Sequence, residues 1–133
     1  MKYKFLEHKA DAKFQAFGKT LEEAFGNAAL AMFSLMTDIK KVKGKTEKKI
    51  KVHGHDKKAL LYNFLEELLF LLDKDSFLLS KIKKIKIIDN KLEAIVVGDK
   101  VGNYETHGEV KAVTYNEMEI KEKPYMLQVV VDM

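Results

Sequence analysis

The sequence predicts an α+β fold in which two amphipathic helices pack on a largely antiparallel, or mixed, sheet of about seven strands, with residues 1–133 forming one domain. Three observations predict it. Two stretches carry apolar residues at spacings of three and four, the mark of a helix with one buried face. Most of the remaining chain alternates apolar and polar residues, the mark of half-buried strands. Third, the elements follow one another closely, with one proline, no repeat and no low-complexity tract between them, as layered α+β folds require. The chain has 133 residues, 47% hydrophobic and 33% charged. A chain of this length buries about two thirds of the surface it exposes when unfolded, enough for a core without staples.

The elements follow in order. Tyr3 to Glu7 reads as a strand, and Lys13 to Phe17 as a second, with Phe14 and Ala16 on one face and Gly18 ending it. Thr20 and Glu23 form a capping box, each side chain satisfying a free N–H at a helix start. The helix that follows carries Leu21, Ala24, Phe25, Ala28, Ala31, Met32, Leu35 and Met36 on one broad apolar face. Ile50 and Val52 alternate with lysines, as in a half-buried strand. Asp56 caps a second helix, whose stripe runs from Leu60 to Leu72 with Glu66 and Glu67 outside. Ile85 and Ile87 again alternate with lysines. Asp89-Asn90 makes a two-residue turn, since both tolerate positive φ, and Leu92 to Val97 returns as a more buried strand. Gly98 to Gly108 reads as a loop. Val110 to Thr114 and Glu117 to Ile120 read as two strands. Tyr125, Leu127, Val129 and Val131 alternate to the end.

Composition excludes several chemistries. There is no cysteine, so disulfides, thiolate zinc sites and cysteine nucleophiles are ruled out. The opening Met-Lys-Tyr-Lys-Phe lacks the apolar run of a signal peptide. Leu60 to Leu72 is too short and too polar to span a bilayer. A cytoplasmic protein without membrane contact is expected. Net charge is +4, and every one of the 24 basic residues is lysine. Arginine's planar fork, which reads guanine edges and grips phosphate bidentately, is therefore missing. Salt-sensitive contact with RNA backbone stays open, beside the plainer role of keeping the surface soluble. No G-x-x-x-x-G-K-[ST] and no G-x-S-x-G occurs, so neither a P-loop nor a nucleophile elbow is present.

Five residues near ends and loops are candidates for chemistry: His8, Asp11, His107, Glu109 and Asp132. Asp132 lies beside the main-chain carboxylate of Met133. Hard divalent cations prefer several oxygen ligands, and anionic groups held close together repel unless a cation intervenes. If the fold brings Asp11 beside Asp132, such a site forms. His53 and His55 have strand spacing and could point one way, but a metal needs further ligands. The simpler reading is a polar strand end before a helix cap. Asp73-Lys-Asp75-Ser76 lacks the glycine and later acids of a calcium loop and reads as a helix end and turn. A phosphoesterase using His8, Asp11 and Asp132 as metal ligands is a rival possibility.

Three segments resemble the archease family. The first is Glu7-His8-Lys9-Ala10-Asp11, followed by Leu21-Glu22-Glu23-Ala24-Phe25 and the small-residue run Ala28 to Phe33. The second is Ala59-Leu60-Leu61-Tyr62-Asn63-Phe64-Leu65-Glu66-Glu67-Leu68-Leu69. The third runs from Glu109 to Met118, with the chain ending Val131-Asp132-Met133. Lys9 stands where the family usually has threonine, and Asn116 where it usually has histidine. The resemblance implies a non-catalytic protein cofactor of an RtcB-type RNA ligase in tRNA splicing, which speeds ligase guanylylation and permits multiple turnover. It implies a divalent metal site, usually assigned to calcium, at Asp11, Asp132 and Met133. It also implies a contact to the partner or its RNA at Lys111. A chaperone-like role beside a tRNA methyltransferase is the alternative that the same family suggests.

Overall fold

Thr20 sets the start of the first helix in the computed structural model, which describes residues 1–7 and 11–133. Its hydroxyl accepts the Glu23 N–H at 3.1 Å, and Glu23 returns a carboxylate to the Lys19 N–H at 3.3 Å. The helix, α1, spans Leu21–Ser34. Its alanines and glycine let neighbouring elements approach closely, and Ala24, Phe25, Ala28, Ala29, Ala31, Met32 and Phe33 are fully buried. Asp56 caps the second helix, α2 (Lys57–Asp75), by accepting the Ala59 N–H at 2.8 Å. Ser76, in the left-handed region at φ 55°, closes it. Among the described residues no helix is long and apolar enough to cross a membrane.

Among the described residues there are seven strands: β1 (Tyr3–Leu6), β2 (Ala12–Gly18), β3 (Thr46–His53), β4 (Phe77–Ile88), β5 (Lys91–Lys100), β6 (Ala112–Lys121) and β7 (Tyr125–Asp132). They form two antiparallel sheets, ordered β1-β2-β7-β6 and β3-β5-β4. Sequence alternation alone does not distinguish one sheet from two. The distinction arises because α1 packs against β2, β7 and β4, and α2 against β6, β3 and β4. Each helix thus touches both sheets, and Phe14, Phe25, Phe33, Phe64, Leu65 and Leu78 meet in one shared core.

Several element boundaries differ from the sequence reading. β5 runs on to Lys100, so Gly98, Asp99 and Lys100 belong to a strand rather than to the expected Gly98 to Gly108 loop, because they pair with Leu79, Leu78 and Phe77 of β4. β4 begins at Phe77, earlier than alternation indicates, because Phe77, Leu78 and Leu79 are all buried and two register shifts, after Leu79 and Ile82, break the period of two. The expected strands Val110 to Thr114 and Glu117 to Ile120 are one strand, β6, interrupted by a bulge between Thr114 and Glu119. Glu117 takes φ 53° there, and Gln128 donates to its carbonyl at 2.8 Å. The Asp89-Asn90 turn has positive φ at both residues, 49° and 61°, as a type I′ hairpin demands. Gly98 is fixed by space: a Cβ there would lie 2.0 Å from the Leu78 carbonyl oxygen.

Candidate functional site

The site is built at one end of the four-stranded sheet. In the β2–β7 ladder Ala12 faces Val131. Asp11 precedes Ala12 and Asp132 follows Val131, so antiparallel register sets these two acids at neighbouring strand ends. The third neighbour comes from β6, where Ala112 pairs with Asp132. Lys111, one residue earlier, donates its backbone N–H to the Asp132 carbonyl at 2.7 Å. Asp11, Asp132 and Lys111, separated by up to 121 positions in sequence, thus occupy adjacent strand ends. Asp132 and Lys111 are exposed and Asp11 is half-buried.

The segment preceding β6 covers this end. The Thr37 hydroxyl donates to the Glu105 carbonyl at 2.9 Å, and the His107 N–H donates to the Met36 carbonyl at 2.9 Å. Gly108 passes so close to the end of α1 that a Cβ would lie 2.8 Å from the Leu35 carbonyl oxygen and 3.2 Å from Met133 Cε. Met133 packs against the core from here. The carbonyl end of α1 therefore lies beneath the same loop, and a helix C-terminus favours positive charge nearby. His107 and Glu109 are exposed in that loop. His8 lies outside the described residues.

Other sequence candidates are dispersed. His53 ends β3 and His55 lies beyond it, 3.5 Å from the Asp56 carboxylate, so the pair does not form one face. Asp75 closes α2 and pairs with Lys48 at 3.1 Å. The three serines have structural partners or positions: Ser34 bonds Tyr3 and the Leu30 carbonyl, Ser80 the Val42 carbonyl, and Ser76 caps α2. Among the described residues no three His, Cys, Asp or Glu side chains converge to hold a metal.

Sequence reasoning missed two polar networks. Asp99, only 6% exposed, accepts from the Tyr104 hydroxyl at 2.7 Å and from the Lys100 N–H at 2.8 Å. The Tyr104 hydroxyl bond, the Lys100 N–H and the Lys45 charge hold the Asp99 carboxyl below its ordinary value against the opposing effect of burial. The same bond to Asp99 raises Tyr104 above the usual phenol. The second network links Gln15 to Gln128 at 2.8 Å and Gln128 to the bulge. The bulge displays Tyr115, which stacks on Tyr62 at 4.4 Å with planes 8° apart. Burial, followed by the nearby Tyr62 and Asp56, raises the Tyr115 pKa. Only a long-range register could have announced the Gln15–Gln128 network, whose partners lie on β2 and β7, whereas the Asp99 partners lie within five residues of it and depend on the local path of the chain after β5.

Comparison with known proteins places this geometry. The model of the Archease protein family (MTH1598/TM1083) matches residues 3–133. The chain belongs to the archease family. Protein archease of Methanosarcina mazei is 40% identical over 139 residues, covering 98% of this chain and 95% of the relative. Protein archease of Sulfurisphaera tokodaii is 42% identical over 138 residues, with 98% of both chains covered. The solution structure of Methanobacterium thermoautotrophicum protein 1598 is similar with a TM-score of 0.80 and 35% identity, covering 99% of each chain. Of the departures from the archease pattern, Asn116 sits exposed on the β6 bulge, its N–H 3.3 Å from the Thr114 hydroxyl, and Lys9 lies outside the described residues.

Proposed function

We propose that this archease is a non-catalytic, cytoplasmic activator of an RtcB-type RNA ligase in tRNA splicing, promoting ligase guanylylation and multiple turnover. Family membership supports the partner class. The observation that carries the site is the β2–β7 register, which sets Asp11 and Asp132 on adjacent strand ends. Their carboxylates and the main-chain oxygens of Met133 are hard oxygen donors. That donor chemistry fits a divalent cation of the calcium or magnesium type rather than a soft transition metal. Calcium is the first choice, because strand ends flanked by a loop supply flexible rather than octahedral geometry. When bound, such a cation would neutralise charge on phosphate oxygens.

The chain's own residues set the rest. Asp11 and Asp132 focus negative charge at a rim of the sheet. Lys111, on the neighbouring strand end, is held by its backbone bond to Asp132 and presents an ammonium group to the partner or its RNA. The 105–110 loop, tied to the end of α1, keeps that rim ordered.

The test is a guanylylation assay of the ligase with GTP, with and without this protein. Wild type should accelerate guanylylation. Asp11→Ala and Asp132→Asn should each abolish stimulation and weaken calcium binding in titration calorimetry, while leaving thermal unfolding within a few degrees of wild type. Full stimulation by Asp11→Ala would refute the proposal.

A further inference from the structure

The outer face of the three-stranded sheet concentrates the positive charge of the molecule. The helices cover the opposite face, where Ile50, Leu92, Ala94 and Val96 are buried. On the outer face, register aligns two cross-strand rows: Lys51–Glu93–Lys86 and Lys49–Ile95–Lys84. These residues line one shallow open depression, and all four lysines are exposed. Exposed Lys81, Lys83 and Lys91 extend the face at its ends. Lys83 reaches across β5 to pair with Glu47 on β3, which shows that it lies over this face. Lys51 pairs with Glu93 at 3.5 Å. Seven lysines against two glutamates leave this face at +5, more than the +4 of the whole chain. The remainder of the molecule is therefore slightly acidic. Lysines spread only for solubility would not leave the rest of the surface negative.

We infer that the outer face of the β3-β5-β4 sheet is a docking surface for the phosphate backbone of RNA. Strand geometry sets the lysines of each row about 10 Å apart across the sheet and those of successive rows about 7 Å apart along it. A grid of point charges at that spacing faces a repeating polyanion rather than one small ligand. Lysine is depleted at protein–protein interfaces, which rely on aromatic and arginine anchors, and neither kind stands in these rows. Without arginine there is no forked readout of base edges, and without an aromatic ring there is no platform for stacking a base. What remains is contact with phosphates, independent of sequence. That RNA rather than DNA is the ligand rests on the proposed role beside an RNA ligase.

The test uses this chain alone with a fluorescein-labelled mixed-sequence RNA duplex, read by anisotropy between 50 and 200 mM salt. Four phosphate contacts give a slope near −3.6 in log affinity against log salt, so wild-type binding should weaken about 150-fold over that range. The variant with Lys49, Lys51, Lys84 and Lys86 all changed to Gln should bind at least about tenfold more weakly at 50 mM and lose most of the slope. These side chains are exposed, and circular dichroism should match wild type. A control with Lys19, Lys40, Lys58 and Lys121 changed to Gln removes the same charge elsewhere and should shift affinity less than about threefold. Equal losses in the two variants, or no duplex binding by wild type at 50 mM, would overturn the inference. So would a sheet variant that keeps RNA but no longer associates with the ligase, since the face would then be a protein contact. The guanylylation assay contains no RNA. The sheet variant should stimulate it normally, and this separates failure of the docking surface from failure of the activator role.

Discussion

At the scale of single residues, Asp99 shows how a local arrangement creates a pH dependence. Its carboxylate is nearly buried yet held in the charged form by the Tyr104 hydroxyl and the Lys100 N–H. Because its folded-state value lies below the ordinary 3.8, its stabilising contribution is present above that pH and is lost as pH falls through the folded value. Asp99→Asn should therefore lower stability at neutral pH and flatten the acid limb of a stability–pH profile below about pH 4, measured by urea unfolding at several pH values. Tyr104 has the opposite sign. Its folded value is raised, so its contribution is present below pH 10 and lost as pH rises through the folded value. Tyr104→Phe should remove that alkaline sensitivity and release part of the Asp99 shift. An acid limb unchanged in Asp99→Asn would mean that other carboxylates govern acid unfolding.

At the scale of elements, the exposed ladder of β6 is managed by α2. β6 is an edge strand, and an unpaired edge invites association with another chain. Glu66, on the polar side of α2, accepts the Val113 N–H at 2.7 Å and so closes one position of that edge. Sequence patterning shows Glu66 only as an outward residue of an amphipathic helix. Glu66→Ala should cost about 1–3 kcal/mol, the penalty for leaving a buried donor without a partner, whereas Glu66→Gln, which keeps an acceptor oxygen, should cost less. Denaturant unfolding of the two variants decides this, and equal costs would assign the effect to packing rather than to the bond. Helix starts behave differently, because their logic is local. Thr20 and Asp56 each cap as the sequence indicates, and Asp56→Ala should cost about 1 kcal/mol.

At the scale of the whole molecule, both helices are shared between both sheets. Neither sheet can keep its buried face without the helices that also complete the other. Unfolding should therefore be one cooperative transition, with calorimetric and van't Hoff enthalpies equal. Two resolved transitions would show that the sheets are separate units. The proposed cation site at Asp11 and Asp132 lies at an end of one sheet, and the proposed RNA face lies on the outer side of the other, so the two proposals concern different surfaces.

Local order is written in the amino-acid sequence. Capping residues, three-and-four spacing and alternation depend on neighbours within one turn or one strand, so α1, α2, the Asp89-Asn90 hairpin and the α+β class were legible. Asp11 and Asp132 stand out as acids near a turn and the chain end, and Lys111 only through the resemblance to the archease family. The fold alone brings these three to adjacent strand ends, divides the strands into two sheets, and makes β6, Ala112–Lys121, one bulged strand. Pairing partners are set by hydrogen bonds between segments up to about 120 residues apart, and no local pattern encodes that register. The lysine face follows the same rule: alternation marks each lysine as outward, but only the β3-β5-β4 order gathers them on one surface.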